Sequence, residues 1–302
     1  MSNTVLLAGA TGMLGARIAH HLLAAEGVTL RLLVRTTALT DPGKRSVLDP
    51  LVARGAELVE GDVVDPASLL RATESMGVVV SALQGGREVV VDGQIALARA
   101  AAAKGVRRFL PSDFALDLFK ATAGDHPAFD LRREADAAIA ALGMEDVHVL
   151  SGALLDMIAT GGGIVGFDDE AGTATFWGTG EERFDATTVD DTARYAARAA
   201  VDSSVPAGKF AVAGQQVSFG DIVAHAERGT GRRYERRSRG TTDDLRAWIS
   251  DRREAGEAMP AMYGTYQLYM LTGQTALDDL QNHRYPDIQP VTLAQLSAEE
   301  AA

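Results

Sequence analysis

Short apolar runs alternate with stretches of helical spacing through the first half of the chain. The runs at residues 4–8, 30–34, 56–59, 78–81, 107–111 and 147–150 are continuous, not alternating apolar with polar. That is the pattern of strands covered on both faces of a parallel sheet. Between them, residues 13–25, 48–54, 66–73, 93–103 and 127–141 carry helical periodicity. Strands and helices in alternation predict βαβ units.

After about residue 155 the rhythm changes. Gly161-Gly162-Gly163 and residues 168–172 are turn chemistry. A short strand is expected at 173–177, a helix from Thr188 to about residue 200, and a strand at 209–213. Ser218 and Asp221 have capping-box spacing ahead of a helix over 222–228. Helices over 242–255 and 259–271 follow, and residues 297–302 read as a loose tail. The expected division is a nucleotide-binding domain over 1–155 and a smaller α+β region over 156–302, with segments of the second free to return to the sheet of the first.

Gly9-Ala10-Thr11-Gly12-Met13-Leu14-Gly15 lies between the first strand and the first helix. Glycines there let the turn tighten and let backbone N–H groups approach a pyrophosphate resting on the helix N-terminus. The fold class expected is therefore α/β, a Rossmann-type doubly wound parallel sheet. The end of the second strand holds Arg35, where an acidic side chain would bind an NAD ribose. A guanidinium matches a 2′-phosphate in charge and bidentate geometry, and Lys44 adds a second positive charge, so NADP(H) is the expected cofactor. Gly61-Asp62, after the third strand, is placed for the adenine edge. Ser81, Ala82, Leu83 and Gln84, after the fourth, are placed for the nicotinamide ribose.

Composition narrows the partners. The 302 residues are 46% hydrophobic and 23% charged, which excludes disorder. A net charge of −12 repels phosphate backbones, so nucleic acid is not expected. The absence of cysteine rules out disulfides, thiolate nucleophiles and zinc–sulfur sites. No apolar stretch approaches a membrane span and no basic segment precedes the first strand, so a cytoplasmic location is expected. Residues 232–239 pack five arginines into eight positions and read as a solvated strand or loop. The six histidines show no metal-ligand spacing, and no metal is expected. There is no Gly-x-Ser-x-Gly elbow, P-loop or Tyr-x-x-x-Lys pair.

The glycine turn, Leu33-Val34-Arg35, Gly61-Asp62 with Asp65-Pro66-Ala67-Ser68-Leu69, and residues 105–114 (GVRRFLPSDF) together resemble the NmrA-like and isoflavone-reductase-like atypical short-chain dehydrogenases. Residues 277–287 are also similar to that group. The resemblance covers nearly the whole chain. It implies a Rossmann domain with a small C-terminal substrate domain and NADPH in the cleft between them. Reductases of the family carry a lysine in the helix after the fifth strand, and the matching position is Arg132. An arginine stays charged and is a poor proton donor, but it can stabilise a developing oxyanion. Asp113, His126 and Asp130 are the candidate acids near the same sheet edge, with helix capping the alternative for His126.

Met259, Met262, Tyr263, Tyr266 and Tyr269 fall close to helical spacing. Such a stripe suits a core, or in a small capping domain an apolar cleft for an aromatic substrate. Leu154, Leu155, Met157 and Trp177 are placed to face the same cleft. The expected function is an NADPH-dependent oxidoreductase delivering hydride to a small, apolar, aromatic carbonyl or enone. The alternative is a non-catalytic NADP(H)-sensing regulator of the NmrA type that reports cofactor state to a protein partner.

Overall fold

The computed structural model describes residues 3–296. Its strands are β1 (Asn3–Ala8), β2 (Val28–Val34), β3 (Glu57–Glu60), β4 (Val78–Ser81), β5 (Arg108–Leu110), β6 (Glu145–Leu150), β7 (Ala153–Leu154), β8 (Gly166–Asp168), β9 (Thr173–Phe176), β10 (Phe184–Thr187), β11 (Gly208–Ala211), β12 (Gln215–Val217) and β13 (Glu235–Ser238). The helices are α1 (Met13–Ala24), α2 (Thr36–Thr40), α3 (Pro42–Ala53), α4 (Pro66–Ala72), α5 (Gln94–Ala103), α6 (Pro127–Ala140), α7 (Leu155–Ile158), α8 (Val189–Val201), α9 (Phe219–Thr230), α10 (Thr242–Glu254) and α11 (Ala258–Thr272). The tail expected at residues 297–302 lies outside the described residues.

Seven strands form one parallel sheet in the order β11-β6-β5-β4-β1-β2-β3. The order reverses between β1 and β4, the point at which a doubly wound sheet opens a crevice at the carboxyl ends of its strands. The continuous apolar runs are buried as the pattern requires: Val5, Leu6, Leu7 and Ala8 are fully enclosed, as are Val79 and Val80. The doubly wound sheet expected from the sequence is the one observed.

The chain divides into two compact units. The first comprises the residues up to Phe114, Leu131–Leu150 and Val189–Ala211, and so holds the seven-stranded sheet. The second comprises Ala115–Asp130, Ser151–Thr188 and the residues from Val212 on. Its two small sheets run β12-β10-β7 and β13-β9-β8. Within the first unit, a buried arginine joins β5 to the end of α8. Arg108 Nη1 donates to Ala199 O (2.7 Å) and Asp202 O (2.6 Å), and Nη2 to Val205 O (2.7 Å). Ala199 lies in the last turn of α8, whose carbonyls lack intrahelical partners, and Asp202 and Val205 lie in the turn that follows.

Some boundaries differ from expectation for local reasons. The helix expected from residue 48 begins at Pro42, because Asp41 caps it by accepting from Lys44 N (2.9 Å) and proline suits the first position. Residues 36–40 also coil, so Lys44 stands in the first turn of a helix and not in a loop. The helix expected from residue 93 is preceded by a π-helical turn over Glu88–Gly93. Ser218 and Asp221 form the full capping box of α9. The arginine-rich run becomes the exposed edge strand β13.

Candidate functional site

In the first unit, the glycine turn follows β1 at the switch point, and two of its glycines are required sterically. A Cβ on Gly9, whose φ is +90°, would lie 2.4 Å from Ala82 O. One on Gly15 would lie 2.1 Å from Gly9 O. Only glycine permits the turn to close on both sides at once. Gly12 N donates to Gly9 O (3.0 Å), Thr11 and Leu14 are half-buried, and Gly12 and Met13 are exposed at the start of α1. No side chain caps that helix and no acidic residue stands in its first turn, so the helix itself does not offset its N-terminal positive potential.

Beside the turn, Arg35 is exposed at the end of β2, at the N-terminus of α2. A cavity of about 600 Å³ lies along the end of β3, lined by Thr36, Glu60, Gly61, Asp62, Ser68 and Arg71 among others. Ser68 Oγ accepts from Asp62 N (3.1 Å) and donates to Asp65 O (2.8 Å), which shapes the loop after β3. The structure adds a residue that the local sequence reading missed. Glu60, from β3, accepts a hydrogen bond from the Thr36 hydroxyl, placing a carboxylate beside the position after Arg35.

A polar network crosses the carboxyl ends of β4 and β5. Gln94 Oε1, on α5, accepts from Ser81 Oγ (2.7 Å) and Ser112 N (3.0 Å). Ser112 Oγ donates to Leu83 O (2.8 Å), and Ser112 O accepts from Arg132 Nε (2.9 Å). Gln94 and Ser81 are fully buried, so these bonds set backbone positions with little exchange to water. Half-buried Arg132 is thereby tied to the segment that carries Ala82 and Leu83, while Gln84 is exposed.

Asp113 follows Ser112 but turns inward and is 0% exposed. Its Oδ2 lies 2.7 Å from His148 Nδ1 on β6, and His148 Nε2 lies 3.3 Å from Asp146 Oδ2. Asp136, on α6, completes a buried group with Asp113 and His148. Burial first, then the charge of Asp113, pushes the Asp136 carboxyl up to about 8 against the pull of His148 and Arg132. For His148, burial favours the neutral ring, but the Asp113 hydrogen bond and the surrounding carboxylates outweigh it and raise the imidazole to about 8. The sequence reading named Asp113 as a candidate acid; the carboxylate faces a histidine ring in the interior. The cluster escaped that reading because its members come from three separate elements.

The remaining candidates lie in the second unit. His126 is buried, and its Nδ1 accepts from Phe129 N (3.3 Å) at the start of α6, the capping geometry. That contact requires any ring proton of a neutral imidazole to sit on Nε2. The ring centroid is 4.1 Å from that of Phe129 and 6.0 Å from that of Tyr266, so two sequence candidates meet in one aromatic cluster. Leu154, Met262 and Tyr266 are half-buried. Leu155 and Trp177 are core residues, with the Arg239 guanidinium 4.6 Å from the Trp177 ring centroid. Met157 and Tyr263 are open to solvent, 54% and 51% exposed.

A glycine-turned parallel sheet with polar groups gathered at the ends of β1, β4 and β5 defines a Rossmann-type dinucleotide-fold protein. The chain belongs to the NmrA-like family, whose model matches residues 1–284. It is similar to phenylcoumaran benzylic ether reductase IRL1 of Ginkgo biloba, 33% identical over 151 residues that cover 49% of this chain and 48% of that protein. The chain thus spans about half the length of the curated relative it matches. Among solved structures it is similar to AtPrR2 with NADP+ and (+)pinoresinol, at a TM-score of 0.83 and 25% identity, covering 98% of this chain and 97% of that one. It is also similar in fold to the leucoanthocyanidin reductase–NADPH binary complex from Vitis vinifera, at a TM-score of 0.82 and 19% identity over 99% of both chains. The resemblance to NmrA-like and isoflavone-reductase-like proteins is borne out. Among the described residues, no helix is long and apolar enough to cross a membrane.

Proposed function

We propose that this chain is an NADPH-dependent oxidoreductase that delivers hydride to a small aromatic carbonyl or enone. The observation that carries the reading is the Gly9–Gly15 turn, closed so tightly against Ala82 that only glycine fits, at the switch point of a sheet shared with NADP+- and NADPH-bound reductases. Gly9, Thr11, Gly12, Met13, Leu14 and Gly15 receive the pyrophosphate, Arg35 and Lys44 the 2′-phosphate, and Asp62 the adenine side. Ser81, Ala82, Leu83 and Gln84 border the nicotinamide ribose. Bound NADPH supplies the hydride.

Arg132, whose Nε donates to Ser112 O, is the electrophile of this reading, its charge stabilising the developing oxyanion of the acceptor. Arginine does not release a proton near neutral pH, so protonation falls to water or to a second group. His126 is the better placed of the sequence candidates, because Asp113 is enclosed against His148. The cofactor domain is residues 1–155 apart from 115–130 and 151–155, with 189–211 returning to its sheet. Leu154, Leu155 and Met157, around the boundary at 155, with Trp177, Met262, Tyr263 and Tyr266 of 156–302, shape the substrate side. The reading takes the cytoplasm as the location and requires neither nucleic acid nor membrane.

The test is NADPH consumption over a panel of aromatic ketones, aldehydes, enones and quinones, beside calorimetric titration with NADPH and NADP+. Turnover that collapses in Arg132→Ala with cofactor affinity retained supports the enzyme. Tight binding of both cofactor forms with no turnover moves the reading to the NADP(H) sensor, which the arginine at the family's lysine position favours.

A further inference from the structure

We propose that Asp113, Asp136 and His148 form a binding site for one divalent transition-metal cation, with zinc the best matched. The three side chains come from the turn after β5, from α6 and from β6. One ligand atom from each lies within 4.8 Å of the others. The residues are 0%, 5% and 6% exposed, so the group is interior. One imidazole and two carboxylates make a mixed nitrogen–oxygen donor set of the kind zinc accepts.

Unsatisfied oxygens point the same way. Among the described residues, Asp113 Oδ1 and both carboxylate oxygens of Asp136 are buried without a hydrogen-bond partner. Buried carboxylate oxygens that receive no donor are costly and rare in folded proteins. A cation between them uses the lone pairs that no N–H or O–H reaches. His148 is oriented for the same purpose. Its Nδ1 lies 2.7 Å from Asp113 Oδ2, so a cation would take the place of the proton now held between them, while Nε2, 3.3 Å from Asp146 Oδ2, would keep the ring hydrogen. Histidine ligands are commonly backed by a carboxylate in this way.

Charge and distance agree. A divalent ion would take the place of the protons that Asp136 and His148 hold near neutral pH in its absence. Ligand atoms about 2.0–2.2 Å from one ion lie at most about 4.4 Å apart. The 4.8 Å within which the three atoms now lie exceeds that span by a few tenths of an ångström, and the 2.7 Å contact between His148 Nδ1 and Asp113 Oδ2 would open slightly to admit the ion. The ion would tie β5, α6 and β6 together from inside. Asp136 follows Arg132 by one helical turn, so it would also hold the stretch of α6 that carries the proposed electrophile. The inference itself does not depend on hydride transfer.

The experiment uses the tag-free full-length chain, stripped by dialysis against a chelator. It is titrated with zinc by calorimetry, and with cobalt, whose visible absorption reports its ligands. The expected result is one equivalent bound, a higher melting temperature with metal, and a cobalt spectrum distinct from the aqueous ion. Binding should disappear in Asp136→Asn and His148→Gln, and weaken about 10–100-fold in Asp146→Asn. If the first two variants do not fold, the wild-type cobalt spectrum and its displacement by zinc decide. No saturable binding, an aqueous cobalt spectrum, or equal binding by folded Asp136→Asn and His148→Gln overturns the proposal. In the first two cases the cluster balances its charge with protons; in the third the ion binds elsewhere.

Discussion

The Nε of Arg132 donates to the backbone oxygen of Ser112 at 2.9 Å, and Ser112 in turn donates its hydroxyl to Leu83 O. A guanidinium fixed through Nε keeps a set direction, which the single ammonium of a lysine does not reproduce. Arg132→Ala is therefore expected to lower kcat by about 10²–10³-fold, the usual loss of one oxyanion donor, with NADPH affinity unchanged in calorimetry. Arg132→Lys separates charge from geometry: a rate close to wild type would mean that positive charge at the position suffices, and continued loss that the fixed direction of the guanidinium is needed.

Glu60, at the end of β3, pairs with Val34, the residue before Arg35, and accepts a hydrogen bond from Thr36, the residue after it, so opposite charges flank this edge. Arg35→Asp should weaken NADPH far more than NADH, by at least about tenfold, since a charge-assisted bidentate contact is replaced by repulsion. Glu60→Gln should act in the opposite sense and tighten NADPH selectively. Equal changes for the two cofactors in either variant would mean that this edge does not contact the 2′-phosphate.

Gly15→Ala places a methyl group 2.1 Å from a backbone oxygen that is itself held in the turn. A loss on the order of 2–4 kcal/mol is expected in urea denaturation, together with lost dinucleotide binding. Gly229→Ala, in α9 with nothing within 4 Å of the added carbon, is the control. It should stabilise by roughly 0.5–1 kcal/mol.

Arg108 has a different burden. Replacing it with methionine retains much of the volume but removes the donors that satisfy the carbonyls of Ala199, Asp202 and Val205. The expected loss is on the order of 3 kcal/mol, read as a shifted urea midpoint at constant m-value. A near-neutral outcome would show that these carbonyls find water instead.

The acid limb of stability should involve Asp190. The hydrogen bond from His21 (2.8 Å) holds its carboxyl below the usual aspartate range, against partial burial. A carboxyl depressed in the fold contributes stability that is present above its unfolded value and lost as pH falls through its folded value. Asp190→Asn should therefore lower the melting temperature on the neutral plateau and flatten its fall below about pH 4, so that the two curves converge in acid. Parallel wild-type and variant curves through that range would remove Asp190 from the account.

Much of the fold was legible because its signals are local. The strand Val78–Ser81 is a run of buried apolar residues ending in serine, and the Ser218–Asp221 box starts α9 by bonds between neighbours. The glycine turn and Arg35 were legible for the same reason. The start of α3 is not carried by apolar periodicity, because Asp41 and Pro42 set it by capping ahead of the first apolar positions. The positions of the remaining candidate residues were legible only as distances along a strand or helix.

By itself the sequence determined the features that depend on spacing alone: alternating strands and helices, a turn that only glycine can close, and a cation at the end of the second strand. Tertiary structure decided the features that depend on residues distant along the chain. It turned Asp113 inward onto His148, brought Asp136 to both, set Glu60 beside Thr36 and sent Arg108 to the carbonyls ending α8. Periodicity reports which face of an element is buried, because burial repeats with the backbone. It carries no record of which buried polar groups meet, because that is set by how separate elements pack and which donors and acceptors the packing leaves to be satisfied.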